Sequence, residues 1–332
     1  MRRAAALVLA LVLAGAASVP ARAYLKLGSR VGTRTVTLKW TELPIRYFVT
    51  DRGVPGVTST QLEQTVTRAF GTWKAVPTAT VSSEFAGFTT SNPALGDGRT
   101  VIGFQNRPEL ERTLGATSFI VDTTNGAILE ADIFLNSSFS WSVSAQGDPN
   151  AFDLESIALH EIGHLHGLGH SAMGETELRP GGRRVIAAEA VMFPIAFSQG
   201  NIADRTLKAD DIAGISDLYP STTFSRETGS ISGKVTKNGT GVLGAHVVAF
   251  DQRTGKLIGG FSLSEDGSFV IAGLDPGPHV LRVEPLDDGD IESFFDPTLN
   301  VDVNFKVKFY EKLVTVPRGG GANNVEIKVL PK

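Results

Sequence analysis

The stretch His160-Glu161-Ile162-Gly163-His164-Leu165-His166-Gly167-Leu168-Gly169-His170 decides how this chain is read. On a helix, positions four apart lie on nearly the same face, so His160 and His164 can turn two ring nitrogens toward one ion, with Glu161 beside it. Gly167 sets the next step. A glycine can take the left-handed conformation that ends a helix, and the chain then turns so that His170 returns to the same ion. Had the helix continued, His170 would stand about 15 Å from His160 by the helical rise and could not share it. Three neutral imidazoles leave a fourth tetrahedral position for water, the arrangement of a catalytic rather than a structural zinc. Glu161 is then placed to take a proton from that water and pass it to a leaving amine. His166 points away from the His160/His164 face and reads as an ordinary core or surface histidine. Residue frequencies of a few per cent make a chance match to five fixed positions in such a chain roughly one in a hundred thousand, so the set is read together.

Upstream, Asp148-Pro149-Asn150 breaks the chain, and Asp153 can cap the helix that carries Leu154, Ile157, Ala158 and Leu159 into the histidine run. From Val81 to Trp141, short apolar runs broken by Gly, Asn and Asp predict a sheet, among them Val101-Ile102-Gly103-Phe104, Ser118-Phe119-Ile120-Val121 and Ile133-Phe134-Leu135. Earlier, Ile45-Arg46-Tyr47-Phe48-Val49 reads as a strand. Thr60 with Glu63 makes a capping-box pattern ahead of Leu62, Val66, Ala69, Phe70 and Trp73, one apolar face at helical spacing. Downstream, a last helix carries Leu207, Ile212, Ile215, Leu218 and Tyr219, and Pro220 stops it.

Beyond Pro220 the composition shifts. Ser221-Thr222-Thr223-Phe224-Ser225-Arg226 reads as a linker, and turn pairs such as Asp266-Gly267 then separate strands. Val325, Ile327 and Val329 alternate with Glu326 and Lys328, a half-buried strand. Residues 228 to 332 therefore predict an all-β sandwich. No metal role is expected of His246 or His279.

A chain of 332 residues has room for two cores. Its formal net charge of -4 gives no basic field for nucleic acid. Arg2 and Arg3, the apolar run Ala4 to Ala17 and the small-residue site Ala21-Arg22-Ala23 read as an export signal over residues 1–23, with mature protein from near Tyr24. The apolar run falls short of the roughly 18 to 20 residues a membrane span needs, so no span is expected after its removal. Without any cysteine, the fold stands on packing and bound metal, and neither thiolate ligands nor a cysteine nucleophile is available.

The pattern His-Glu-x-x-His-x-x-Gly-x-x-His resembles that of the metzincin metalloproteases, and its surroundings resemble the matrixin branch, that of the matrix metalloproteinases. Ser171 after His170 fits that branch, as does Ala190-Val191-Met192-Phe193-Pro194, similar to its Met-turn. Ala69-Phe70-Gly71-Thr72-Trp73 resembles the first matrixin helix, and Asp210-Asp211-Ile212-Ala213-Gly214-Ile215 with Leu218-Tyr219 its last. The resemblance covers about Lys39 to Tyr219. It implies an α+β metzincin-like catalytic domain over residues 24–222, a twisted mixed sheet with three helices and zinc in the cleft. It also implies that His160, His164 and His170 bind one zinc, that Glu161 is the catalytic base, and that Met192 forms an apolar floor without binding the ion.

In that family the substrate lies extended along an edge strand and pairs with it through backbone hydrogen bonds. Gly115, Ala116 and Thr117 stand in the matching place, and Pro194-Ile195-Ala196-Phe197 would wall the opposite side. Calcium sites are expected, if anywhere, near Asp122, Glu130 and Asp132. A cysteine-blocked latent form is excluded, and with no histidine before His160 the family's second, structural zinc site looks absent. The stretch from Ser171 to Met192 is longer than the family's usual connection, and Gly181-Gly182-Arg183-Arg184 within it reads as a loop. Residues 228–332 are similar to the carboxypeptidase regulatory-like, transthyretin-like sandwiches, carried by Ile231-Ser232-Gly233-Lys234-Val235, Gly244-Ala245-His246-Val247-Val248 and Asp266-Gly267-Ser268-Phe269.

The expectation is thus a secreted, extracytoplasmic zinc endopeptidase acting on protein or peptide. Its chemistry lies wholly between His160 and Met192, and its C-terminal sandwich serves attachment to a surface or substrate. The alternative is a binding or adhesion protein that keeps the scaffold without catalysis; an intact Glu161 argues against it, because zinc binding alone needs only the histidines. A thermolysin-like site would need a downstream glutamate ligand and no His170.

Overall fold

The computed structural model describes residues 7–10, 26–31, 34–180 and 182–332. Of the expected export signal, only Leu7–Ala10 falls within them, as a strand antiparallel to Ser118–Val121; the Ala21-Arg22-Ala23 site lies outside. No helix among the described residues is long and apolar enough to cross a membrane.

The N-terminal part is built on a mixed sheet. Its strands are β1 (Ile45–Thr50), β2 (Ser83–Thr89), β3 (Thr100–Gln105), β4 (Gly115–Asp122) and β5 (Ala127–Asn136). They lie in the order β4-β5-β3-β1-β2. All neighbours are parallel except β4, which runs antiparallel to β5. Helix α1 (Ser59–Lys74) covers one face with Leu62, Val66, Ala69, Phe70 and Trp73, all buried. Each large apolar side chain so removed from water contributes about 1.5–3 kcal/mol. The helix begins two residues earlier than the Thr60/Glu63 pattern suggested. Its cap is Thr58, whose hydroxyl accepts from Gln61 N while the Gln61 side chain accepts from Thr58 N. Thr58-x-x-Gln61 satisfies the same pattern, and buried Val57 and Leu62 flank it as a hydrophobic staple.

Helix α2 (Leu154–His166) packs against the sheet and is capped at both ends. Asp153 caps the start by accepting from Ser156 N, and Arg205 pairs with the same carboxylate. At the other end Gly167 has φ 104°, a left-handed stop that only glycine adopts cheaply. The four terminal carbonyls of a helix lack partners within it, and here each finds a donor. Leu168 N reaches Gly163 O at 3.1 Å and Gly167 N reaches His164 O at 2.6 Å. Trp40 Nε1 reaches Leu165 O at 2.8 Å, and the Tyr219 hydroxyl reaches His166 O at 2.6 Å.

After His170 the chain forms a hairpin, β6 (Gly174–Arg179) with β7 (Gly182–Ala188). The expected loop at Gly181-Gly182-Arg183-Arg184 is thus corrected in part: Gly181 lies outside the described residues, whereas Arg183 and Arg184 lie in a strand, paired with Leu178 and Glu177 of β6. Helix α3 (Ala209–Leu218) closes the N-terminal core. The expected linker at Ser221 to Arg226 is likewise ordered. Phe224–Glu227 form a helical turn, α4, with Phe224 buried and Ser221 N bonded to Thr78 O.

The C-terminal part consists of two sheets. In one, β8 (Gly229–Lys237) lies between β11 (Ser268–Leu274), antiparallel, and β13 (Gly321–Val329), parallel. In the other, β9 (His246–Asp251) lies between β10 (Leu257–Phe261) and β12 (Gly277–Glu284), both antiparallel. Ile231, Phe269 and Ile271 from the first sheet and Val247, Leu281 and Val283 from the second belong to one buried apolar cluster. Val325, Ile327 and Val329 alternate buried with exposed Glu326 and Lys328. The two parts are in close contact. Buried Asp210 on α3 accepts from Ser171 Oγ at 2.5 Å and from Gly259 N of β10 at 2.8 Å, and Ala172 packs with Phe261, Leu286, Phe294 and Phe295.

Candidate metal and catalytic site

His160, His164 and His170 converge at the C-terminal half of α2. One ring nitrogen from each lies within 4.8 Å of the other two, a group able to hold a metal ion. All three rings are oriented from behind by backbone carbonyls. His160 Nδ1 donates to Val191 O at 2.7 Å, His164 Nδ1 to Leu168 O at 2.8 Å and His170 Nδ1 to Ser293 O at 2.6 Å. A carbonyl only accepts, so each Nδ1 carries the proton and each Nε2 offers a lone pair. Metal-bound histidines show the same arrangement, in which the second nitrogen's partner fixes the tautomer.

The donor set fits a cation on a further ground. His164 Nε2 and His170 Nε2 stand 3.1 Å apart, and with both Nδ1 atoms already donating, two lone pairs face each other. Only a shared cation reconciles them. A proton is disfavoured, because burial and then the neighbouring rings push His164 well below the usual histidine range and His170 to about 3. His160 is lowered too, mainly by burial.

Glu161 sits beside the cluster, buried, with Oε2 accepting from Thr117 Oγ1 at 2.8 Å. Burial lifts its carboxyl to about 7, against the opposing pull of the Thr117 hydrogen bond. Met192 lies buried below α2. A Cβ at Gly163 would collide with the Met192 sulfur, so this helix position admits no side chain while the methionine keeps its place. Asp211 holds the turn itself, accepting from Val191 N at 2.8 Å and Met192 N at 3.1 Å. That carboxylate therefore also fixes the Val191 carbonyl that orients His160.

A cleft of about 680 Å³ opens in front of the histidines. Gly115, Ala116 and Thr117 of β4 line one side and Pro194, Ile195 and Ala196 the other. Phe197, expected on that wall, is not among the lining residues. Thr117 is buried, and its side chain is spent on Glu161 rather than turned to the cleft. His166 lies in the core, 1% exposed, with Nδ1 on Ile162 O and its ring against Phe70, Trp73 and Tyr219.

The acidic residues expected near calcium already accept hydrogen bonds within the fold. Asp122 accepts from Thr124 in a turn, whereas Glu130 accepts from Gly96 N and Gly98 N. Asp132 accepts from Val101 N, while its second oxygen is buried without a hydrogen-bond partner. In the C-terminal part His246 pairs with Glu284 and His279 bonds Gly277 O.

The chemistry was expected wholly between His160 and Met192, and the cleft around it also draws on the C-terminal part. Ser293 orients His170, and Asp290, Glu292 and Phe294 line the same cleft. Nothing in the sequence pointed to Ser293, because a backbone carbonyl has no signature. Asp211 was visible only as a member of a longer resembling stretch, and Thr117 only as a candidate substrate contact rather than as the partner of Glu161.

Three histidines thus converge, with a buried carboxylate at the helix position after the first, as a group able to hold one metal ion. The Matrixin family model matches residues 39–220, more than half of the chain, and the chain belongs to that family. Membership implies zinc binding, with which the histidine cluster is compatible. Metalloendoproteinase 4-MMP of Arabidopsis thaliana is 28% identical over 195 residues, 56% of this chain and 47% of that protein. Metalloendoproteinase 2-MMP of the same plant is 31% identical over 201 residues, 52% of this chain and 44% of that protein. The chain thus spans about half the length of these curated relatives. Among solved structures, the minor pilin GBS52 of Streptococcus agalactiae matches 32% of this chain and 45% of its own at 14% identity, with a TM-score of 0.20 too low to bear on the fold.

Proposed function

We propose that this chain is an exported zinc endopeptidase in which His160, His164 and His170 hold the ion through Nε2 and Glu161 is the general base. The observation that carries this reading is the pair of Nε2 lone pairs 3.1 Å apart, closed by a third histidine and flanked by the Glu161 carboxylate. When bound, zinc supplies Lewis acidity to a water and to the scissile carbonyl. Glu161, aimed by Thr117, takes the water's proton and returns it to the leaving amine. Gly115 to Thr117 offer the edge along which an extended peptide pairs, and Pro194 with its neighbours bounds the far side. Met192 provides the apolar floor. Export rests on the Arg2-Arg3 leader and its apolar run. The two sheets after Gly229 support a carboxypeptidase regulatory-like sandwich that attaches the enzyme to a surface or a large substrate. If calcium binds, the partnerless Asp132 oxygen beside Glu130 is where it is proposed to do so.

The test is Glu161→Gln, which keeps shape but removes the base. Zinc content should stay at one ion per chain while peptide turnover falls by about 10² to 10⁴. A variant that cleaves at the original rate would remove Glu161 from the mechanism. A wild-type chain that holds zinc yet cleaves nothing in a mixed peptide library would favour the non-catalytic alternative.

A further inference from the structure

The third histidine is held differently from the other two. The carbonyls behind His160 and His164 belong to the same N-terminal part, at Val191 and Leu168, whereas the carbonyl behind His170 belongs to Ser293, 123 residues further on. Ser293 ends a short 3-10 turn, Ile291–Ser293, between β12 and β13. The next residue, Phe294, is 5% exposed and sets its ring edge-on to His170 with centroids 6.2 Å apart, while also packing against Phe261 of β10 at 5.9 Å. This segment is tied to the N-terminal part on its other side as well. Thr176 N of β6 donates to Asp288 Oδ1 at 2.7 Å, and Arg183 Nη1 of β7 donates to Asp287 O at 2.9 Å. The inserted hairpin and the 287–294 segment therefore brace each other beside the cleft.

We propose that the C-terminal part completes the metal centre: the Ser293 carbonyl and the Phe294 ring position His170 as a ligand, so that docking of this part and zinc binding are thermodynamically linked. The inference rests on the reading of the three histidines as zinc ligands. His170 follows the left-handed turn at Gly167 and the loop beyond it, outside the helix that fixes the directions of His160 and His164. Its ring needs an external partner to set tautomer and angle, and the one it has comes from the other part of the chain. Linkage is reciprocal, so whatever docking contributes to zinc affinity, zinc returns to docking. Ser293 and Phe294 are positioning residues here; neither touches the reacting atoms.

The test uses the full chain. In Phe294→Ala, and separately in a variant carrying Ile291→Gly, Glu292→Gly and Ser293→Gly together, zinc affinity is measured by competition with a chromophoric chelator. Loss of such an outer partner should weaken zinc by about 10- to 100-fold, while Leu330→Ala, at an exposed position outside the cleft lining, should leave it unchanged. A folded variant of either kind with wild-type zinc affinity overturns the proposal. Should neither variant fold, hydrogen exchange on the wild-type chain decides. Zinc should slow exchange of the amides from Asp290 to Phe294, and no slowing there overturns it. Tight zinc in the wild type without peptide cleavage would sink the protease reading and leave this link standing. Unchanged affinity in the variants would do the reverse.

Discussion

His160 and His170 lie in one cluster, yet they reached it by different physics. His160 is placed by a helix whose start is capped by Asp153 and whose four last carbonyls are all satisfied, and its partner Val191 is 31 residues away. His170 lies beyond the helix stop, and its partner is 123 residues away across the contact between the two parts. Side chains on a regular element inherit their direction from it; those on a loop must be given one by packing. The same site thus contains a half that local sequence determines and a half that only the tertiary fold determines.

The largest expected effect leaves this contrast invisible. His160→Ala and His170→Ala each remove a ligand, and both should abolish tight zinc binding and peptide cleavage, as read by metal analysis and turnover. If His170→Ala keeps its zinc, the third ligand is wrongly assigned.

Asp210→Ala sharpens the comparison by acting on the contact alone. It strips a buried acceptor from Ser171 Oγ and Gly259 N, and hydrogen bonds to a charged group contribute roughly 1.5–3 kcal/mol each. The thermal midpoint should fall, with more rapid exchange in β10. An unchanged midpoint would mean that the contact contributes little. Burial raises Asp210 to about 6, above the roughly 3.9 of a free aspartate. The folded chain therefore holds this proton more tightly, and the stability it contributes is full below about pH 4 and lost as pH rises through 6. Asp210→Asn should remove that part of the pH dependence; a difference between wild type and Asn variant that is constant from pH 4 to 7 would contradict it.

The smallest effect tests the well-determined half. Thr117→Val keeps shape but removes the donor to Glu161 Oε2, a bond of about 1.5 kcal/mol or more, so kcat/KM should fall roughly tenfold with zinc affinity unchanged. A fall in zinc affinity instead would show that Thr117 supports the ligands rather than the base.

What was legible in the sequence follows the same division. The buried face of α1, the stop at Gly167 and the cap at Asp153 are local patterns, and the structure has them. Thr58 and Thr60 both fit a capping box, so the start of α1 is ambiguous locally, and the structure has Thr58 as the cap with Val57 and Leu62 buried on either side of it. Within the hairpin after His170 the sequence offers only a loop at Gly181 to Arg184, because Glu175, Glu177, Arg183 and Arg184 give its strands no apolar alternation. Val185 alone among β6 and β7 is a buried hydrophobic, and ion pairs such as Arg179 with Glu177 line the rest. Phe224 was the available sign that the linker is anchored. Ser293 offered none, since its contribution is a peptide carbonyl that any residue carries.

The notch at Gly163 has one more consequence, for chemical wear. The chain has three methionines and no cysteine, so beyond Met1 its sulfur chemistry is confined to Met173 and Met192. Met192 fills the space that Gly163 leaves and is 2% exposed; Met173 is 5% exposed among Ala190, Val248 and Leu257, where the two parts meet. An oxidant cannot reach either sulfur without first parting the surfaces around it, and a sulfoxide is polar and no longer fits such a place. Sulfoxide formation is therefore a clock for opening. In peroxide, mass spectrometry should find Met173 and Met192 oxidised only as fast as the fold breathes, and oxidation at the rate of free methionine would show that these surfaces are not closed in solution.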